Sequence, residues 1–244
     1  MEIVNRYNSD MCTSIVVNKS KTIVGFNFDN PGWKYKIFVN SSAFYIAVLA
    51  DVSFWDPIIG CNFRGDFVNL PGMNPGVKDG EYVEGRGHFF IDRENAKVLM
   101  GKRTFMELAE LVKTNPIINE PGCSLQAQDS DAEGNVLQIF PGLGYRFISK
   151  PAFSVLTNFQ LMNEEKEHHP WAGVDRYDRA NQILKYATAD FGVKDMFAIL
   201  KAVCQPSGGA PTAVSLVFDV TKRTIYWCEN REWGRILSRV LTSK

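Results

Sequence analysis

Three polar groups able to do chemistry fall close together near the start of the chain: the thiol of Cys12, the amide of Asn27 and the carboxylate of Asp29. They sit on two apolar, β-branched runs, residues 11–17 and 22–31, separated by a polar break at residues 18–21, and this pattern predicts a hairpin. With Val17 opposite Thr22, antiparallel register sets Ser14 across from Gly25 and Cys12 across from Asn27. Cys12, Asn27 and Asp29 then line one face by the period-two rule, while Phe26 points away. In that register Gly25 clears space beside Ser14.

Cys12 also directly follows a methionine that can itself initiate translation, and a small second residue permits removal of that methionine. Cys12 then heads the working chain. A free N-terminal Cys carries a thiol of pKa ~8.5 beside an α-amine of pKa ~8, so that one residue supplies both nucleophile and base. On this reading residues 1–11 are either a propeptide cut before Cys12 or an extension from an upstream start. The plainer reading makes Cys12 a small strand hydrophobe and Asp29 the opening of the Asn30-Pro31-Gly32 turn.

Composition narrows the class. The 244 residues, 45% of them hydrophobic, can build one domain with a sizeable core. Twenty-seven basic residues offset 27 acidic ones, which favours neither nucleic acid nor an anionic membrane surface as partner. The apolar stretch at residues 41–52 is too short to span a bilayer, and no signal-peptide core precedes it, so a cytoplasmic protein is expected. Five cysteines (12, 61, 123, 204, 228) lack CxxC spacing, and His88, His168 and His169 lack metal-ligand spacing. Neither a metal nor a disulfide framework is expected, and self-association into a homo-oligomer is left open.

The elements that must position the site follow in order. Strands are predicted over residues 35–39 and 43–52, and a helix over 94–113 that Gly101 divides. A meander of three strands follows at 124–128, 136–140 and 145–148, then a strand at 154–158. The charged segment 163–172 reads as a solvated loop, the border of a substrate entrance being the alternative. A helix from Asp175 puts Ala180, Ile183, Leu184 and Ala187 on its buried stripe, and a second runs over 194–203. A hairpin at 212–220 and 224–228 closes the chain. This order suits an α+β fold of two stacked antiparallel sheets flanked by helices.

Cys12-Thr13-Ser14 followed by Val24-Gly25-Phe26-Asn27-Phe28-Asp29-Asn30 resembles the opening of the N-terminal-nucleophile hydrolases that include choloylglycine (bile salt) hydrolases, penicillin V acylases and acid-ceramidase-like amidases. The resemblance extends, in the same order, through Gly72-Met73-Asn74, Val155-Leu156-Thr157-Asn158, Asp175-Arg176-Tyr177 and the last two strands. It implies a four-layer αββα sandwich over residues 12–244 and hydrolysis of the linear amide bond of an N-acyl amide, without cofactor. It further implies Cys12 as nucleophile, Asn158 as oxyanion donor, and Asp29 and Arg176 beside the Cys. Phe26, Asn27 and Asn74 are the candidates for substrate binding. Phe26 stands where the family usually has Arg, and because the family brings that position to the site, a bend is expected there. Two other readings stay open, an acyltransferase on the same scaffold and a binding homologue impaired in catalysis, the latter supported by Phe26. Arg176 at a helix N-terminus opposes the helix dipole, a separate hint that something else holds it.

Overall fold

The computed structural model describes residues 12–49, 53–73, 87–121, 123–162 and 173–243. Its centre is a pair of antiparallel sheets. Both are built from strands rich in β-branched and aromatic side chains, which fit a pleated, packed surface.

The first sheet has six strands, in the spatial order β12 (Phe153–Leu156), β1 (Thr13–Asn18), β2 (Thr22–Asp29), β13 (Thr212–Asp219), β14 (Thr224–Glu229) and β15 (Leu237–Val240). The second has seven: β11 (Gly144–Ile148), β10 (Val136–Phe140), β9 (Ala127–Ser130), β6 (Phe67–Asn69), β5 (Trp55–Asn62), β4 (Ala43–Leu49) and β3 (Tyr35–Val39). A short parallel pair, β7 (Phe89–Phe90) and β8 (Ile117–Ile118), lies apart.

The inner faces of the two sheets meet in one buried cluster. Val16, Val24, Phe26 and Phe28 of the first sheet share it with Phe44, Ile46 and Phe67 of the second. Phe26 sits 6.4 Å from Phe67, and Phe44 sits 5.0 Å from Trp227, centroid to centroid. Each such side chain contributes roughly 1.5–3 kcal/mol on leaving water, so this face dominates the stability of the sandwich.

Helices cover both outer faces. Ile15, Val17 and Ile23 pack against Ala180 and Leu184 of α3 (Val174–Leu184) and Met196 and Leu200 of α4 (Val193–Ala202). Over the second sheet lie α1 (Ile91–Leu99) and α2 (Phe105–Thr114), parted at Gly101, whose φ of +70° suits glycine. Thr104 caps α2 with a reciprocal capping box to Glu107. The layers are thus α3/α4, sheet, sheet, α1/α2, the αββα sandwich expected.

Several expectations need correction. The strands β5, β6 and β15 have no counterpart in the sequence reading. Pro57 disguises β5, and it is tolerated because the β4–β5 ladder shifts register between Ile46 and Ala47, where a missing N–H costs little. The first strand of the meander begins at Ala127 rather than residue 124. Ile183, placed on the buried stripe of α3, is 38% exposed, because α3 turns Val174, Arg176, Ala180 and Leu184 inward instead.

Candidate active site

The hairpin forms, but one residue out of the expected register. Asn18 pairs with Thr22, Ser14 with Phe26 and Thr13 with Asn27. Asn18 is drawn into the ladder because its Nδ2 donates to the Gly134 and Pro151 carbonyls at 2.9 and 2.8 Å, and its Oδ1 accepts from Thr22 Oγ1 at 2.8 Å. Gly134 and Pro151 lie more than a hundred residues away, beyond the reach of local turn chemistry.

A slip of one residue exchanges the faces. Cys12, 2% exposed, joins Phe26 and Phe28 in the cluster between the sheets, so Phe26 shares its face without any bend. Thr13, Gly25, Asn27 and Asp29 turn instead toward the helices. Gly25 accordingly makes room not for Ser14 but for Met196, whose Sδ would lie 2.4 Å from a Cβ added there. The three groups expected on one face are therefore divided between two.

A single buried side chain bridges that division. Arg176, 4% exposed in the first turn of α3, donates through Nη1 to the Cys12 carbonyl at 2.7 Å and to Thr13 Oγ1 at 2.8 Å. Its Nη2 donates to Asn158 Oδ1 at 2.9 Å, and Nη1 lies 3.6 Å from Asp29 Oδ2. These acceptors are what holds a guanidinium against the helix dipole, since charge-assisted hydrogen bonds are roughly twice as strong as neutral ones. The space it occupies depends on Gly173, the residue before α3, where φ is +77° and an added Cβ would stand 2.3 Å from Nη2.

Asn158 is fully buried, and its amide is oriented from both ends. Oδ1 accepts from Arg176, while Nδ2 donates to the Gly72 carbonyl at 2.8 Å. The turn that carries it is held by Gln126, whose Nε2 donates to the Thr157 carbonyl at 2.7 Å, and by Thr157 Oγ1 donating to the Gly173 carbonyl at 3.0 Å. One glycine thus serves both Arg176 and the Asn158 turn.

Asp29 is sealed from solvent. Burial pushes its carboxyl up to about 7 against the opposing pull of Arg176, the Thr212 hydrogen bond and Arg231. Thr212 Oγ1 donates to Oδ1 at 2.5 Å.

The remaining candidates lie elsewhere. Asn27 is fully buried beside α4, its Nδ2 donating to the Leu200 carbonyl at 2.9 Å and its Oδ1 accepting from Ser215 Oγ at 2.7 Å, so its amide ties strand to helix. Asn74 and the loop at 163–172 lie outside the described residues. Gly173, Thr13, Thr157 and Thr212 escaped sequence reasoning. Only Gly173, a glycine directly before a helix, carries a local signal. Among the described residues no group of three or more His, Cys, Asp or Glu is arranged to hold a metal.

No family model matches the sequence, and no curated protein sequence matches it. Solved structures do. A mutant of conjugated bile acid hydrolase from Clostridium perfringens superposes with a TM-score of 0.69 at 14% identity, over 94% of this chain and 92% of that one. Penicillin V acylase from Agrobacterium tumefaciens gives 0.58 at 15% identity, over 89% and 83%. The Caenorhabditis elegans ortholog of N-acylethanolamine-hydrolyzing acid amidase gives 0.56 at 21%, over 86% and 93%. The fold is the one these three solved structures share, in line with the sandwich that the motif resemblance implied. Among the described residues no helix is long and apolar enough to cross a membrane.

Proposed function

We propose that this chain hydrolyses the linear amide bond of a small N-acyl amide, with Cys12 as the nucleophile at the head of the mature chain. The observation that carries the reading is the buried guanidinium of Arg176, which gathers the Cys12 carbonyl, Asn158 and Asp29. Three solved amide hydrolases of the same fold support it.

Residues 1–11 are removed by self-cleavage, or translation starts at Met11 and that methionine is then excised; either way the Cys12 amine is released. Cys12 Sγ attacks the acyl carbon while the α-amine takes the thiol proton. The Asn158 amide, its orientation set by Arg176 at Oδ1, donates from Nδ2 to the developing oxyanion. The tetrahedral intermediate collapses to a thioester as the α-ammonium protonates the departing amine. Water, deprotonated by the same α-amine, then releases the carboxylic acid. Asp29 and Arg176 position the head of the chain, and Phe26 and Phe28 present an apolar wall on the Cys12 side. The step requires neither metal nor organic cofactor. A reducing cytoplasmic setting agrees with five cysteines that lack disulfide or metal spacing.

The test combines N-terminal sequencing of the purified protein with a panel of N-acyl amides. The mature chain is expected to begin at Cys12 and to form a thioester adduct visible by mass spectrometry. Cys12→Ala should keep the fold by circular dichroism and lose turnover; persistent hydrolysis in that variant refutes the assignment. An adduct on chains still carrying residues 1–11 would exclude the α-amine as base.

A further inference from the structure

The pairing of β2 with β13 runs regularly from Ile23 opposite Asp219 to Phe28 opposite Val214. Continued in step, it would set Ala213 across from Asp29. Instead the ladder bulges, and Thr212 takes that place. A β-bulge re-aims a side chain, and here it turns a hydroxyl that is 1% exposed onto the carboxylate of Asp29.

The direction of this hydrogen bond is determined by its neighbours. The Gln205 backbone N–H donates into Thr212 Oγ1 at 2.8 Å, so that oxygen already serves as an acceptor. A hydroxyl has one proton to give, and Asp29 Oδ1 receives it at 2.5 Å. The other oxygen, Oδ2, lies 3.6 Å from Arg176 Nη1 and has no hydrogen-bond partner among the described residues.

The bulge is itself clamped. Thr212 N–H donates to the Gln205 carbonyl at 2.9 Å, and Asn30 N–H donates to the Pro211 carbonyl at 3.0 Å. Arg231 Nη1 reaches the carbonyls of both Gln205 and Thr212 at 3.2 Å, from a backbone held at φ +61°. A non-glycine residue keeps that conformation only where its surroundings over-determine it.

We propose that Thr212 is a positioning residue for Asp29: the bulge reserves Oδ1 as a permanent acceptor and leaves Oδ2, turned toward the Arg176 cluster, as the oxygen that gains and loses the proton. The inference rests on the reading of Asp29 as part of an amidase centre. The charged and titratable groups that face Asp29 are Arg176 from α3, Arg231 from the turn after β14, and Cys204 from the loop after α4. The Cys204 thiol is pushed up by burial and then by Asp29 itself. Neither it nor the two arginines can replace a short neutral donor at Oδ1.

Thr212→Val keeps the shape and removes the hydroxyl. The acidic limb of the pH profile of kcat/KM is expected to move up by about one pH unit, the effect of losing a hydrogen bond to a charged group. Thr212→Ser should hold the limb at its wild-type position. An unmoved limb in Thr212→Val, or the same shift in Thr212→Ser, overturns the proposal. Should Thr212→Val not fold, Thr212→Ala is measured with the same expectation.

A second readout needs no substrate. In a double-mutant cycle of Thr212→Val with Asp29→Asn, followed by urea unfolding across pH, the two changes should be non-additive above neutral pH. Strict additivity overturns the proposal. Coupling in a wild-type protein that turns over no amide refutes the amidase reading alone.

Discussion

Asp29, at the end of β2, and Asp129, in the middle of β9, are both sealed from solvent, yet they stand in opposite company. Asp129 Oδ1 accepts from the Asn69 backbone N–H at 3.2 Å and from Asn95 Nδ2 at 3.1 Å, and the nearby Asp66 adds charge of the same sign. Burial drives its carboxyl well above the usual range, and among the described residues no cation opposes it. Asp129 Oδ2 and Asn95 Oδ1 are both buried without a hydrogen-bond partner among the described residues. Asp29 has a guanidinium at 3.6 Å and a hydroxyl on Oδ1, and these bring it back to about 7. Burial without a cation raises the carboxyl that ties α1 to its sheet through Asn95. Burial opposed by a cation makes an acid that changes charge near neutrality, across Arg176 from the Cys12 carbonyl.

The severest way to break this contrast is Arg176→Met. It strands Asp29 and strips a donor from the Cys12 carbonyl, Thr13 and Asn158. Removing one partner of a buried ion pair costs about 3–5 kcal/mol, so urea unfolding at neutral pH should show a loss of that size and amidase assays no turnover. A loss under about 1 kcal/mol would mean that the cluster is held by something else.

Asp29→Asn comes next. Because the folded carboxyl sits near 7 and its ordinary value is 3.8, the folded state binds the extra proton between those values. Its contribution to stability is therefore present below about pH 4 and falls as pH rises through 7, by an amount on the order of a few kcal/mol. Asn at this position should flatten that part of the curve and lower turnover on the order of 10²-fold. An unchanged slope would assign the pH dependence to another group.

Gly173→Ala probes the space that the cluster needs. With φ at +77° and the new Cβ 2.3 Å from Arg176 Nη2, the guanidinium must shift. The expected cost is about 1–3 kcal/mol, with a matching fall in activity, whereas wild-type values would show that Arg176 has room to spare.

The smallest effect is expected at Asp129→Asn. An amide there can still accept from the Asn69 N–H and from Asn95 Nδ2, so the unfolding free energy should change by about 1 kcal/mol or less. A larger loss would show that an amide cannot take the place of the carboxyl between Asn69 and Asn95.

Much of the architecture was legible. The β-branched runs of β1, β2, β3, β10 and β13 and the division of α1 from α2 at Gly101 follow from periodicity and turn chemistry, which act over a few residues. Shared motif order pointed to the sandwich and to Cys12, Asp29, Asn158 and Arg176, and the dipole argument marked Arg176 independently. Periodicity failed where a remote partner overrode the local rule. Asn18 reads as a turn former, but Gly134 and Pro151 draw it into the strand, and Pro57 hides a strand that a bulge tolerates.

The chain on its own thus determined which segments become strands and helices and which residue types are on offer, because propensity and hydrophobic period are properties of near neighbours. Only the folded structure decided which face each of those residues occupies. The hairpin register, the approach of Thr212 to Asp29 and the reach of Arg176 to the Cys12 carbonyl are settled by hydrogen bonds between parts of the chain far apart in sequence. A shift of one residue in any of them would move the carboxylate, the hydroxyl or the guanidinium out of reach of the others.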